Sequence, residues 1–249
     1  MLSIMPYLSI QISKILILVW SVCFFLVSMT ALAQDPEHQI DLPDADDNSS
    51  WQLQLEKNGV QIFTQDWPES SFVAVKTVQV IHSSLSNITG NFIDIASFPD
   101  WVENMREARW ITPFNSQRIR KVYIRMGLPW PVQDRDIIMG QKMSQNPLNL
   151  RVNIKEWNEG KTLPEVSGAV RVPEVNAEFV LIPISKNQTK IIWQGHNEPG
   201  GYVPAFLMNW MVENVFYKSA MAMRARFESE KYFKQVDWVK DFNEITVKE

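Results

Sequence analysis

The sequence predicts an α+β fold in which one antiparallel β-sheet curves around a long C-terminal helix and encloses a hydrophobic cavity. Between Trp51 and His196, nearly every segment has the alternation or the β-branched composition of a strand. A predicted helix follows from Pro204 to about Phe233, and at this length it would span about 45 Å. Its apolar stripe is too wide for one neighbouring helix to cover, so the sheet is its expected partner.

Composition limits the class of protein. The chain has 249 residues, of which 45% are hydrophobic, and no internal repeat indicates a second domain. The formal net charge is −4, and no basic run occurs. Because phosphate affinity needs clustered Lys and Arg, this composition argues against nucleic-acid binding. We expect one globular domain and a monomer.

The first 33 residues have the pattern of a signal peptide. Lys14 precedes an apolar run from Ile15 to Val27, and Ala31-Leu32-Ala33 offers small residues where a signal peptidase cuts. Cleavage after this triplet would make the protein periplasmic or secreted. An uncleaved membrane anchor is the alternative, because the segment is nearly as long as the roughly 20 residues that span a bilayer. The only cysteine, Cys23, lies in this segment, so a cleaved chain could form no disulfide.

Three further segments are expected after the signal peptide. Residues 34 to 48 are mostly acidic or small, with two interrupting prolines, which predicts a solvated leader. The folded domain is expected from 49 to 235. Residues 236 to 249 are expected to form a C-terminal tail.

The domain begins with a predicted β-hairpin. Alternation from Trp51 to Glu56 and from Val60 to Thr64 flanks the two-residue turn Asn58-Gly59. A valine-rich third strand is expected from Ser71 to Ile81. Apolar residues then recur at helical spacing from Leu85 to Ala96, and the Phe-Pro-Asp-Trp sequence that follows is expected to start a second, short helix.

After these helices the chain is predicted to form strands until the C-terminal helix. The predicted strands are residues 110–114, 117–126, 136–144, 150–157, 166–172, 177–184 and 189–196. Strands that follow one another through short turns pair as an antiparallel meander. We therefore expect a single antiparallel sheet.

Alternation within the strands assigns their faces, and a curved sheet with an apolar inner face either fills with side chains or leaves a cavity. The residues expected to line the cavity or its helical lid are Val122, Ile124, Met126, Met139, Gln141, Met143, Val152, Ile154, Trp193, His196, Tyr202, Leu207, Asn209, Met211 and Val215. Gln141, Asn209 and His196 are the polar candidates for specificity.

Residues that could support catalysis or bind a metal are sparse. The three histidines are far apart in sequence, and only His196 is near a predicted cavity element. A structural role for this histidine is favoured over acid–base chemistry, because no partner is apparent. The sequence contains no serine-nucleophile, zinc-protease or phosphate-loop motif. We therefore expect no metal or other cofactor and no enzymatic activity.

Three stretches together resemble the START (steroidogenic-acute-regulatory-related lipid-transfer) domain. They are 51–64, Leu128-Pro129-Trp130-Pro131-Val132-Gln133-Asp134-Arg135-Asp136, and 198–209 with Glu-Pro-Gly-Gly-Tyr-Val-Pro-Ala-Phe-Leu-Met-Asn. Their order and spacing agree with the family over about 49 to 233. The resemblance implies a helix-grip (START/Bet v 1-like) fold, with a tunnel under the C-terminal helix that holds one lipid. With the signal peptide, it implies a bacterial member of the family, and it brings no catalytic residues.

The residue types of the second stretch also predict its conformation and contacts. Prolines on both sides of Trp130 hold the chain extended, so the tryptophan is expected to be an apolar anchor at one end of the cavity. Arg135 is expected to bind a carboxylate or backbone carbonyls, and with Asp136 to fix the geometry of the strand. The resemblance assigns the buried base of sterol-carrying members to Gln141, which is neutral in this chain.

Three functions remain open at this level. The first is a non-enzymatic carrier or sensor of one lipid in the periplasm, with transient membrane contact. The second is a cyclase or hydrolase on the same scaffold, which requires two titratable groups that converge in the cavity. The third is an interaction module in which leader and tail recruit a partner, which requires a filled core.

Overall fold

The computed structural model describes residues 42–203, 207 and 211–242. The predicted signal peptide, the predicted helix start at Pro204, and Asn209 lie outside the described residues. The described residues belong to one compact unit. No helix among them is long and apolar enough to cross a membrane.

Ten strands in the described part of the chain form one sheet. They are β1 (Gln52–Lys57), β2 (Val60–Gln65), β3 (Ala74–Ile81), β4 (Met105–Thr112), β5 (Ile119–Met126), β6 (Asp134–Gln145), β7 (Val152–Asn158), β8 (Ala169–Arg171), β9 (Glu174–Ser185) and β10 (Gln188–Glu198). Their order is β1-β2-β3-β10-β9-β7-β6-β5-β4, and β8 pairs with β6. Neighbours are antiparallel except β8, which runs parallel to β6. The sheet is therefore antiparallel as predicted, although β3 pairs with β10 and not with the next strand in sequence.

Helical segments cover one face of this sheet, which we call the inner face. They are α1 (Leu85–Ile93), a 3₁₀ helix (Ile95–Asp100), a π-helix (Val212–Tyr217), α2 (Lys218–Phe227) and a second 3₁₀ helix (Glu230–Tyr232). The side chain of Ser84 caps α1 by accepting a hydrogen bond from the backbone N–H of Asn87 (3.2 Å). Leu85, Ile88 and Phe92 of α1 are buried in the core against the sheet.

Two predicted elements have different bounds in the structure. α1 ends at Ile93 and not at Ala96, because Asp94 leaves the helical conformation and Pro99 lies in the 3₁₀ helix that follows. The strand predicted at 110–114 is found at Met105–Thr112. Its first half is polar and has little strand propensity of its own, but it pairs with β5 along its length.

The C-terminal helix ends earlier than predicted. α2 ends at Phe227, whereas the sequence indicated a helix to about Phe233. Side chains of α1 take the place of further helical hydrogen bonds. Asn87 Nδ2 donates to the carbonyl of Phe227 (2.9 Å), and Asn91 Nδ2 donates to the carbonyl of Tyr232 (3.0 Å). The chain therefore turns at Phe227 and docks on α1.

Segments assigned by sequence to the leader and the tail pack on the domain where they are described. On the outer face, Ala45 is buried with Val180 and Ile192. The carbonyl of Asp47 accepts a hydrogen bond from Lys76 Nζ (2.9 Å), whose side chain is fully buried. At the other end of the chain, Val239 is part of the main core. The domain thus includes residues from both flanking segments.

Candidate ligand-binding cavity

Two adjacent cavities lie between the inner face of the sheet and the C-terminal helical segments. Cavity 1 has a volume of about 200 Å³, and cavity 2 has a volume of about 130 Å³. Both are lined by Met126, Trp193, Val215 and Phe216. These side chains therefore form the partition between the two cavities.

Cavity 1 has mostly aromatic and methionine walls. Its apolar lining includes Phe92, Phe98, Trp101, Met105, Met139, Phe179 and Met223. The rings of Phe98 and Trp101 meet edge to face with centroids 4.9 Å apart, which fixes one wall. The polar lining residues are Thr77, Gln79, Glu156 and Ser219. Apolar walls with a few polar groups are typical of small-molecule binding sites.

Cavity 2 lies beside the turn that precedes the C-terminal helical segments. Gly200 and Gly201 have φ values of 64° and 59°, a backbone conformation that glycine adopts without steric cost. Arg135, which lines this cavity, holds the turn. Its Nε donates to the carbonyl of Pro199 (2.6 Å) and its Nη2 to the carbonyl of Gly200 (2.9 Å). The remaining guanidinium nitrogen, Nη1, donates to the carbonyl of Gln133 (2.7 Å).

In the motif around Trp130, Arg135 and Asp136 stabilise the local structure, whereas Trp130 does not. Arg135 binds backbone carbonyls, one of the two expected alternatives, while the fully buried Asp136 pairs with Arg171 at 2.7 Å. The expectation that Trp130 is an apolar anchor is wrong, because 93% of this residue is exposed. The turn between Pro129 and Val132, closed by a 3.0 Å backbone hydrogen bond, directs the ring to solvent.

The structure brings part of the predicted site together. Ile124, Met126, Met139, Trp193, Leu207, Met211 and Val215 line one or both cavities. Val122, Met143, Val152 and Ile154 are buried in the core but line neither cavity, because neighbouring side chains fill the space beside them. Tyr202 was expected at the cavity, but it lines neither one and is 84% exposed.

The expectation that His196 faces the cavity is wrong. Trp193, Gly195 and Asn197 of β10 line the cavities, so strand alternation directs His196 to the outer face. Its buried ring stacks on Trp67 with centroids 4.8 Å apart, and its Nε2 lies 3.2 Å from Ser70 Oγ. Burial lowers the pKa of His196, and the nearby carboxylates of Glu198 and Glu174 oppose this shift. These contacts indicate a structural histidine.

A buried polar network that the sequence analysis missed extends from cavity 1 to α1. Arg120 Nε donates to Gln141 Oε1 (2.7 Å), and Gln141 Nε2 donates to Glu156 Oε1 (2.8 Å). The other guanidinium nitrogens of Arg120 donate to the carbonyls of Ile93 (2.7 Å) and Phe92 (2.9 Å) at the end of α1. Gln141 therefore lies behind the cavity wall and connects two buried ionisable groups.

Burial changes the proton affinities of both ends of this network. It raises the pKa of Glu156 to about 7, against the opposing influence of the Gln141 hydrogen bond and the Arg120 charge. It lowers the pKa of Arg120 to about 10, with Glu156 opposing the shift. The signal for both residues was present in the sequence, because each lies two positions from an inward-facing residue of its strand: Val122 for Arg120 and Ile154 for Glu156.

Metal ligands do not cluster in the described part of the chain, where no three or more His, Cys, Asp or Glu side chains are placed to hold an ion. Among the described lining residues, Glu156 is the ionisable group of cavity 1 and Arg135 that of cavity 2.

Known proteins share this architecture. No protein-family model matches the chain. The chain is 24% identical over 182 residues to an uncharacterised protein of Pseudomonas aeruginosa, covering 72% of this chain and 87% of that protein. It is 21% identical over 170 residues to phosphatidylcholine transfer protein of Bos taurus, covering 67% and 78%. The crystal structure of a STAR-related lipid transfer protein fragment from Xanthomonas axonopodis has a TM-score of 0.66 at 18% identity, covering 72% of this chain and 99% of that one. The chain therefore has the helix-grip fold of the STAR-related lipid transfer proteins, as its sequence predicts.

Proposed function

We propose that this protein is a non-enzymatic carrier or sensor that holds one lipid in cavities 1 and 2. The supporting observation is a pair of adjacent, mostly apolar cavities between sheet and helix, with a partition made of side chains. Small-molecule sites usually have volumes of at least about 300 Å³. Each cavity alone is smaller than this volume, but the two together exceed it. One ligand that displaces the partition would use both.

The walls favour a long apolar ligand. Burial of each methylene contributes about 0.8 kcal/mol, so a twelve-carbon chain would gain about 10 kcal/mol before the costs of association are subtracted. Methionines at 105, 126, 139 and 223 line cavity 1, and their flexible side chains adapt to ligands of different shape. The names of the bovine and Xanthomonas relatives also support a lipid as the ligand class.

The proposal of a non-enzymatic role rests on the sparse titratable groups. Acid–base catalysis in cavity 1 would require a second group beside Glu156. Arg120 is not among the described lining residues, and its guanidinium nitrogens donate within the protein. These contacts favour carriage over catalysis.

We also propose that the protein contacts membranes transiently at the end of cavity 2. Trp130 and Tyr202 are both highly exposed and lie close in sequence to Leu128 and Val203, which line this cavity. Arg135 links their two loops through its hydrogen bonds to backbone carbonyls. Tryptophan and tyrosine favour the membrane–water interface, so this end is suited to lipid exchange.

The proposed location is the periplasm, or the outside of the cell. It rests on the signal-peptide pattern of residues 1 to 33 alone, and membrane anchoring by an uncleaved segment is the alternative. N-terminal sequencing of the protein from a bacterial host distinguishes the two, since cleavage would expose Gln34.

Substitutions that introduce a charge into the helical lid test whether the cavities take up lipid. Leu207 is fully buried and lines cavity 2, so Leu207→Asp would introduce a carboxylate among apolar walls. We expect loss of fluorescent-lipid uptake with an unchanged circular dichroism spectrum, and the same from Met211→Asp. Leu148→Asp, at an exposed position, is the matched control. Normal uptake by both lid variants would refute the proposed site.

A further inference from the structure

Gln79 is a buried amide on the wall of cavity 1. It lies on β3, is 5% exposed, and is hydrogen-bonded in the sheet between β2 and β10 through its backbone. Its Nε2 contacts the sulfur of Met223 at 3.5 Å. Its Oε1 is buried and has no hydrogen-bond partner among the described residues. A buried carbonyl oxygen without a donor destabilises a fold, so this atom indicates a partner that the protein chain does not supply.

The other polar lining residues of cavity 1 can also accept hydrogen bonds. Thr77 and Ser219 have hydroxyl groups, and Ser219 Oγ already accepts a hydrogen bond from the backbone N–H of Glu103 (3.0 Å). Glu156 is a carboxyl group that can accept more than one hydrogen bond. In cavity 2, Asn197 Oδ1 is again a buried acceptor without a partner among the described residues. The polar character of cavity 1 therefore suits a ligand that donates hydrogen bonds.

Few Lys or Arg side chains are placed to bind an anionic ligand in cavity 1. No Lys or Arg occurs among the described lining residues of cavity 1. Arg120, behind its wall, donates from every guanidinium nitrogen to protein acceptors, and so does Arg135 in cavity 2. A phosphate buried in cavity 1 would thus lack a counter-charge unless the Arg120 network broke, and an unpaired buried charge is costly. Arg135 donates to neutral carbonyls only, so its positive charge stays at cavity 2.

We propose that Gln79 accepts a hydrogen bond from the bound lipid and selects a lipid whose buried polar group is an uncharged hydroxyl instead of a phosphate. This inference rests on the proposed function and names the ligand class of that site. It separates this chain from its bovine relative, whose name specifies phosphatidylcholine.

Two ligands with the same twelve-carbon chain and different polar groups test the proposal. We would titrate the full chain by calorimetry with 1-dodecanol and with dodecylphosphocholine below its micellar concentration. We expect dodecanol to bind at least about tenfold more tightly. Gln79→Leu should weaken dodecanol binding about tenfold, because it removes the acceptor while it preserves the apolar wall. Its effect on dodecylphosphocholine should be smaller than about threefold.

Gln52→Leu is the matched control, since it makes the same change at an exposed strand position that lines neither cavity. It should change dodecanol affinity by less than about threefold. Asn197→Leu removes the unpaired acceptor of cavity 2 and tests which of the two acceptors holds the polar group. The melting temperature of ligand-free Gln79→Leu should be at least that of the unmodified protein, because the variant loses a buried unpaired oxygen. An unchanged or higher melting temperature would show that Gln79→Leu folds, so weaker binding would arise from the loss of the acceptor in cavity 1.

The outcomes separate the inference from the function on which it rests. Equal affinity for the two ligands in the unmodified protein would overturn the ligand class while lipid binding stands. Unchanged dodecanol binding by Gln79→Leu would overturn the role of Gln79. A tenfold loss in Asn197→Leu alone would move the polar group to cavity 2 and overturn the role of Gln79. If neither ligand binds and no lipid is present in the purified protein, the proposed function itself fails.

Discussion

Glu156 should make the stability of the protein depend on pH in a way that one substitution removes. Its carboxyl group is buried on the wall of cavity 1, and its pKa is raised from 4.5 to about 7. Between these two values the folded state holds a proton that the unfolded state has released. The free energy of unfolding therefore falls as pH rises from about 4.5 to about 7, and it levels off above that range.

The size of this effect follows from the shift. One pKa unit corresponds to 1.36 kcal/mol, so Glu156 should lower the free energy of unfolding by about 3 kcal/mol across this range. Glu156→Gln keeps an acceptor for Gln141 and cannot ionise. The free energy of unfolding of Glu156→Gln should therefore not fall with pH as that of the unmodified protein does. The difference between the two proteins should grow by about 3 kcal/mol, in favour of the variant, between pH 4.5 and pH 8.

Guanidinium denaturation at several pH values measures this difference, because the contributions of all other groups cancel. Glu165→Gln, at an exposed position, controls for the change in net charge. Parallel stability profiles for Glu156→Gln and the unmodified protein would show that burial does not raise the pKa of Glu156, and would refute the reasoning.

Further predictions concern the motif and the proposed membrane-contacting end. Arg171→Ala should lower the free energy of unfolding by about 3–5 kcal/mol, because it leaves the fully buried carboxylate of Asp136 without its partner; a loss below about 1 kcal/mol in denaturant titrations would contradict this. Trp130→Ala should reduce co-sedimentation with vesicles several-fold and leave the melting temperature unchanged, because the side chain is exposed. Trp110→Ala, also exposed but on β4, is its control, and equal vesicle binding by all three proteins would argue against the proposed end.

Alternation along strands predicted much of the inner face. Ile124, Met126 and Met139 were assigned inward by period-two spacing, and all three line cavity 1. The same rule would have excluded His196, which is three positions from Trp193 and so faces the opposite side. It would also have included Glu156, two positions after Ile154. Proximity to the predicted lid placed His196 at the cavity, and that expectation failed because the spacing determines the face; Glu156 was not among the predicted residues.

Whether an inward position lines a cavity depends on distances that no local pattern contains. Ile154 and Met139 face the same interior, but only Met139 lines a cavity, because the space beside Ile154 is filled. The pairing of β3 with β10 is likewise non-local. The docking of Ala45 on the outer face and of Val239 in the core joins residues far apart in sequence. Composition alone described these segments as a solvated leader and a tail.

Mass spectrometry of an organic extract tests the central claim most directly. The full chain would be expressed in a bacterial host, purified without detergent, and extracted for lipid analysis alongside a lysate control. Lipid carriage predicts one lipid species or class in a one-to-one ratio with the protein, enriched over the lysate. The absence of any lipid, together with no thermal shift on addition of fatty acids, phospholipids or sterols, would contradict it.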